Sequence, residues 1–320
     1  MKSLKKPVIL LILIITTFAL YFYIQSTHKE SKPVHVSSIN KSDAHSLASK
    51  PRIQPSIKKP TIQAKAAVVM DAQSGEILYS KNENTPLAPA SMSKMMTGYI
   101  VLNQIENGSL AWNDEVIVSS YAANIGGAAV QLQVGDHITV QDLFHAMFIA
   151  SANNASVALA EHISGSEEDF TQLMNEQAQQ LKLSPRTYFV NATGLDNEYG
   201  EESKMTALDV ALLAQQLLNR YPELVEITKL SFYQMEGDGS VLYPTNKMLD
   251  PQHFELYIEG MDGLKTGFTD LAGYCFAGTA KQGDNRLISV VMGTEFEATR
   301  FEETKKLLMY GFDRLHLPLS

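Results

Sequence analysis

Ser91-Met92-Ser93-Lys94 sets a hydroxyl and an amine three residues apart. On a helix that spacing puts both on one face, about one turn apart. A lysine held there and partly desolvated gives up its proton more easily and can act as the base for a serine nucleophile. The pattern alone is weak, because Ser3/Lys6, Ser26/Lys29, Ser38/Lys41 and Ser56/Lys59 share it. Only Ser91 opens an apolar helical stretch, and Pro89-Ala90 before it place the serine at the helix N-terminus. Free backbone N–H groups and the helix dipole steady negative charge there. The plainer alternative is that Ser91 only caps the helix.

Ser151-Ala152-Asn153 follows an apolar helical run, and Ser38/Asn40 and Ser80/Asn82 repeat its pattern. It is either a hydroxyl that passes a proton with an amide that holds a peptide group, or a polar loop. Lys265-Thr266-Gly267 occurs once and begins an expected strand. A cation and a hydroxyl at a sheet edge suit a carboxylate, and a glycine there lets a ligand backbone approach. The alternative is a turn with an exposed lysine. The order and spacing of the three motifs, at 91, 151 and 265, carry more than any one of them.

These motifs need elements to hold them. Ala66–Met70 and Glu76–Ser80 are short apolar runs around Gln73-Ser74-Gly75, a hairpin signal. Ser91 to about Ile105 reads as a helix with Gly108 as its stop. Between 140 and 183 two helical patterns follow, VQDLFHAMFIASANNASVALAEHISG and SEEDFTQLMNEQAQQLKL. Met205 to Arg220 is another, closed by Pro222. Residues 264–281 and 286–293 read as two further strands, and Glu302 to Leu315 as a terminal helix. Strands at both ends with helices between them predict an α+β fold: an antiparallel sheet formed from both ends of the body, with a helical subdomain inserted.

The 320 residues are 45% hydrophobic and 19% charged, enough for a core. The single cysteine, Cys275, excludes an internal disulfide and a thiolate metal cluster, and its apolar surroundings predict a buried small hydrophobe. The eight histidines form no His-Glu-x-x-His or other close ligand pair, so neither metal nor cofactor is expected. Residues 1–60 hold ten basic and two acidic residues, net +8, and the remainder holds 16 and 33, net −17. An acidic body argues against nucleic acid as its ligand. Pro7 to Ile24 is an 18-residue run without charge, spanning roughly 27 Å as a helix, close to the hydrocarbon thickness of a bilayer. Lys2, Lys5 and Lys6 precede it, so residues 1–6 are expected in the cytoplasm, 7–24 as an uncleaved signal-anchor, and the rest exported. A cleaved signal peptide is the alternative, though no small-x-small site follows the apolar run. Residues 25–60 are polar, basic and rich in Ser, Lys and Pro, and read as a disordered linker ahead of a body at 61–320.

Ser-x-x-Lys, Ser-x-Asn and Lys-Thr-Gly in this order form a recorded signature of penicillin-binding proteins and class A β-lactamases. Over residues 62–315 the chain resembles the serine D-alanyl-D-alanine carboxypeptidases, the low-molecular-mass penicillin-binding proteins. Pro89 to Thr97 is similar to the family's nucleophile segment, Ser151 to Glu161 to its second motif, and Asp262 to Gly267 with Ala272-Gly273-Tyr274 to its third. Phe189 to Asp196 (FVNATGLD) resembles a further segment typical of these enzymes. The resemblance implies a transpeptidase-like fold, attack by Ser91 on the bond between two D-alanines of a peptidoglycan stem peptide, and acylation by β-lactams. It implies Lys94 as base, Ser151 as proton relay, Asn153 as peptide holder and Lys265 and Thr266 as carboxylate binders. The backbone N–H groups of Ser91 and Phe268, the residue after Gly267, would form the oxyanion hole. Family members often carry a second, β-rich domain and a C-terminal membrane helix. This chain ends at Ser320, and an N-terminal anchor is expected to replace that helix. The expected location is the bacterial cell membrane, single-pass, with the catalytic body outside. Phe268 stands where some members have a polar residue.

Three rivals remain. A DD-endopeptidase acting on cross-links uses the same chemistry. A class A β-lactamase needs a glutamate that activates the deacylating water, and the nearest pattern, Glu168 to Asn175 (EDFTQLMN), has the wrong spacing and helical periodicity. A non-catalytic wall-binding module would require the loss of a motif residue, and none is lost.

Overall fold

The computed structural model describes residues 57–197 and 199–315. The expected cytoplasmic tip, the anchor and most of the linker lie outside them. Residues 57–60, expected in the linker, lie against the body instead: Ile57 packs on a core that includes Ile62, and Lys59 Nζ donates to the Ser80 carbonyl at 3.3 Å. An apolar side chain beside an apolar surface docks even inside a polar stretch.

The chain opens with a hairpin, β1 (Ala66–Asp71) and β2 (Ile77–Lys81), then helix α1 (Lys94–Glu106). A two-stranded ribbon, β3 (Glu115–Ile117) and β4 (His137–Thr139), encloses the short helix α2 (Ser120–Asn124). Helices α3 (Val140–Ile149), α4 (Asn153–Ser164), α5 (Glu167–Gln180), α6 (Ala207–Arg220) and α7 (Leu224–Thr228) follow. After a small hairpin, β5 (Tyr233–Gln234) and β6 (Val241–Leu242), come β7 (Met261–Thr269), β8 (Gly273–Gln282), β9 (Asn285–Thr294) and helix α8 (Glu297–Leu315).

The main sheet has the order β2-β1-β9-β8-β7, antiparallel throughout. Its two ends are joined where β1 pairs with β9, Val68 opposite Val290. Every residue of β1 is buried because the sheet is covered on both faces. Alternate side chains of a strand point to opposite faces. Ala67 and Val69, with Leu287 and Val291, pack against Phe301, Leu307 and Leu308 of α8. Val68 and Met70, with Ile288 and Val290, join the core of the helical subdomain. Strand β7 forms one edge of this sheet.

Three elements depart from the sequence expectations. The helix expected from Ser91 begins as a 3-10 turn, Ala90–Ser93, and becomes α-helical at Lys94. The first helical pattern of 140–183 is two helices: the chain breaks at Ala150–Ala152 and restarts at Asn153, whose N–H donates to the Ala128 carbonyl at 2.6 Å. Apolar periodicity on both sides hides so short a break. The stretch 264–281 is two strands, because Thr269 Oγ1 accepts from Ala272 N–H at 3.0 Å and Gly273, at φ +69°, lets the chain reverse. Among the described residues no helix is long and apolar enough to cross a membrane.

Candidate active site

Ser91 sits in the 3-10 turn, one turn before Lys94. Neither this turn nor α1 has a side-chain cap bond at its start, so Ser91 does not serve as a cap. Ala90 is held at φ +48°, which costs a residue with a Cβ about 1–2 kcal/mol. Its carbonyl lies against Gly194: a Cβ built there would stand 2.0 Å from Ala90 O. The tight packing of these two segments over-determines the turn that carries Ser91.

Lys94 is fully buried, and its Nζ lies 2.9 Å from Ser91 Oγ, 2.6 Å from Asn153 Oδ1 and 2.8 Å from the Thr193 carbonyl. Asn153 cannot be flipped here, since its Nδ2 donates to the Gly126 carbonyl at 2.7 Å and Oδ1 must face the lysine. Thr193 is presented by a turn closed by Asn191, whose Oδ1 accepts from Gly194 N–H at 2.7 Å and Thr193 Oγ1 at 2.9 Å. Glu167 braces the same turn: one carboxylate oxygen accepts from Ala192 N–H at 2.9 Å, the other from Tyr121 Oη at 2.8 Å.

Ser151 adopts φ +61° in the break between α3 and α4, and its Oγ accepts from Lys265 Nζ at 2.8 Å. Lys265, only 1% exposed, also donates to the Thr266 carbonyl at 3.1 Å. The exposed-lysine alternative is therefore excluded, as is the polar-loop reading of Ser151 and Asn153, both buried. The Thr266 and Thr245 hydroxyls are hydrogen-bonded, Oγ1 to Oγ1, at 2.6 Å. Gly267 faces the turn of Ser91: a Cβ on it would lie 2.7 Å from Pro89 O and 3.1 Å from Ser91 N. Any other residue would push the strand from the serine. The Phe268 side chain is 46% exposed and stacks on Tyr274 with ring centroids 4.3 Å apart.

Burial drives the electrostatics. Lys94 is held well below the ordinary lysine range, first by desolvation and then by the charge of Lys265, with Glu167 opposing. Lys265 is pushed down to about 7 by desolvation and by Arg300. Two cations in one dry site disfavour each other's charge, which tilts Lys94 toward the free amine.

The structure thus joins Ser91, Lys94 and Asn153 directly, joins Ser151 to Lys265, and sets Thr266, Gly267 and Phe268 along the facing edge strand. Sequence reasoning missed three participants: the Thr193 carbonyl, Thr245 and Arg300. The first was signalled by Asn191-Ala192-Thr193-Gly194, an Asx-type turn before a glycine. Thr245 and Arg300 carry no local signal, because only the fold brings them to β7.

Residues 53–295 match the family described as D-alanyl-D-alanine carboxypeptidase, peptidase S11, and the chain belongs to that family. It is 38% identical over 255 residues to the D-alanyl-D-alanine carboxypeptidase DacF of Bacillus subtilis, covering 79% of this chain and 63% of that one. It is 37% identical over 265 residues to DacC of Escherichia coli, covering 80% and 63%. The chain therefore spans a little under two thirds of these relatives' length. Penicillin-binding protein D2 of Listeria monocytogenes, solved in an ampicillin-bound form, is 37% identical, with a TM-score of 0.69 over 80% of this chain and 100% of that one. The α+β fold is that of the penicillin-binding proteins.

Proposed function

We propose that this chain removes the terminal D-alanine from peptidoglycan stem pentapeptides through an acyl-enzyme on Ser91, and that β-lactams acylate the same residue. The observation that carries the reading is the three-way contact of buried Lys94 with Ser91 Oγ, Asn153 Oδ1 and the Thr193 carbonyl. As a free amine, Lys94 has two N–H donors and one lone pair. The two carbonyl oxygens accept the donors, and the lone pair faces the Ser91 hydroxyl. As an ammonium it donates to all three oxygens. One geometry serves both protonation states, so the proton can move without rearrangement.

In acylation Ser91 Oγ bonds to the substrate carbonyl carbon and its proton passes to Lys94 Nζ. The N–H groups of Ser91 and Phe268 receive the negative charge on the carbonyl oxygen. The C–N bond then breaks, and the proton taken by Lys94 passes through the Ser151 hydroxyl to the departing amine, which returns Lys94 to the free amine. Water attacks the ester, with Lys94 again taking the proton, and frees Ser91. Thr266 and the positive field of Lys265 hold the substrate's terminal carboxylate, and the Asn153 amide steadies its peptide. A β-lactam opened by Ser91 keeps its leaving group tethered, which favours a long-lived ester.

The site's chemistry is equally suited to a DD-endopeptidase, and a cross-linked stem dimer beside the pentapeptide separates the two. The β-lactamase reading lacks support: Glu168 is exposed on α5, and both oxygens of Glu167 are engaged. The intact motif residues count against a wall-binding module. The apolar run at 7–24 supports an N-terminal single-pass anchor with the body outside the membrane, cleavage and secretion being the alternative. The full-length chain and its Ser91→Ala variant should be compared for D-alanine release and covalent penicillin labelling. Loss of both in the variant is expected, and retention of either overturns the mechanism.

A further inference from the structure

Arg300 lies on α8, outside the three motifs in sequence but beside Gly267 of the third, and it is 5% exposed. Burying a guanidinium is costly unless its charge and donors are used. Here Nη1 donates to the Gly267 carbonyl at 3.2 Å, Nη2 meets Glu297 Oε1 at 3.2 Å, and Nε has no partner. Its carbon centre sits 5.4 Å over the Tyr274 ring, and Tyr274 stacks on Phe268. Arg300 therefore touches the carbonyl before Phe268 and the aromatic ring on which the Phe268 side chain stacks.

That peptide unit is trans and planar, so the direction of the Gly267 carbonyl fixes the opposite direction of the Phe268 N–H. A strand also alternates its backbone groups between its two edges. Gly267 approaches Ser91 N on the nucleophile side of β7. We infer that Arg300 is a positioning residue for the oxyanion hole: by holding the Gly267 carbonyl and the Tyr274–Phe268 stack, it aims the Phe268 N–H at the oxygen that becomes negative during acylation. Arg300 is buried, so it acts through Gly267 and Tyr274. Its planar fork and its face on Tyr274 act together, which a lysine cannot reproduce in full.

The inference rests on the Ser91 acyl-enzyme reading and deepens it. Its test uses the full-length chain with Arg300→Gln, Arg300→Lys and Tyr274→Leu. Stopped-flow labelling with fluorescent penicillin separates the noncovalent encounter affinity from the first-order acylation step. A boronic acid mimic of the D-Ala-D-Ala peptide reports affinity for a tetrahedral, oxyanion-bearing adduct. Removing an oxyanion donor outright slows catalysis about 10²–10³-fold, so misaiming one should slow acylation roughly 10- to 100-fold in Arg300→Gln. Boronate affinity should fall in step, with encounter affinity within about threefold of wild type. Arg300→Lys should recover part of the loss, and Tyr274→Leu should lose less than Arg300→Gln. If a variant lowers thermal stability while acylation and boronate affinity hold, or if the loss lies in encounter affinity, the inference is wrong. Should Arg300→Gln not fold, Arg300→Lys and Tyr274→Leu decide by the same split. Absence of Ser91 labelling in the wild type would instead overturn the acyl-enzyme reading itself.

Discussion

Gly194→Ala tests whether the loop after Asn191 truly sets the base. Gly194 has φ +82°, and an added Cβ would stand 2.0 Å from Ala90 O, 2.5 Å from Ala90 C and 2.9 Å from Ser93 Oγ. Real Cβ contacts essentially never fall under 3.0 Å, so the two segments must part by about 1 Å. Ala90 carries Ser91, and Gly194 carries Thr193. Lys94 follows Ser91 on the same turn, so the parting falls on its contact with the Thr193 carbonyl, which stretches from 2.8 Å to nearly 4 Å, past hydrogen-bonding range. A misplacement of about 1 Å costs catalysis on the order of 10²-fold. The left-handed backbone adds about 1–2 kcal/mol of destabilisation and the clash a similar amount. Gly108→Ala is the control: it shares the backbone region, φ +78°, but has nothing within 4 Å. It should lose the same backbone increment of about 1–2 kcal/mol and keep full activity. The assay is the first-order acylation rate with fluorescent penicillin, alongside thermal unfolding. Gly194→Ala acylating within threefold of Gly108→Ala would refute the argument.

The pH profile should have two limbs of different origin. Lys94 is displaced toward the free amine, so acid protonates it and slows acylation, in kcat. Lys265, near 7, loses its ammonium as pH rises through that value, so carboxylate binding weakens on the alkaline side, in KM. Lys265→Met should raise KM and abolish that alkaline limb, and a limb unchanged in the variant counts against the assignment. Thr245→Val removes the partner of Thr266 Oγ1; KM for a stem peptide should rise a few-fold, with penicillin acylation of Ser91 nearly unchanged. A drop in kcat with KM constant would move Thr245 to another role.

Much of the fold was legible because its elements are strongly patterned. The run Ala66 to Met70 and its partner around Val290 are apolar enough to be read as buried strands from either end of the chain. Boundaries were less legible where the chain turns without a proline. The break before Asn153 depends on a backbone bond to the Ala128 carbonyl and the turn before Gly273 on a bond from Ala272 N–H to the Thr269 hydroxyl, which periodicity does not register.

The sequence by itself determined the chemical inventory: a serine with a lysine one turn away, a second serine with its amide, and a lysine, threonine and glycine on a strand. Their order, through its resemblance to the penicillin-binding proteins, pointed to acyl transfer. The fold decided what each group is. Lys94 is held toward the free amine in a dry interior, where three oxygens from three separate segments surround it. Lys265 turns inward to Ser151, and Arg300 reaches the site through the back of the sheet. Protonation state and aim depend on burial and on neighbours distant in the chain, and those exist only once the sheet has joined the chain's two ends.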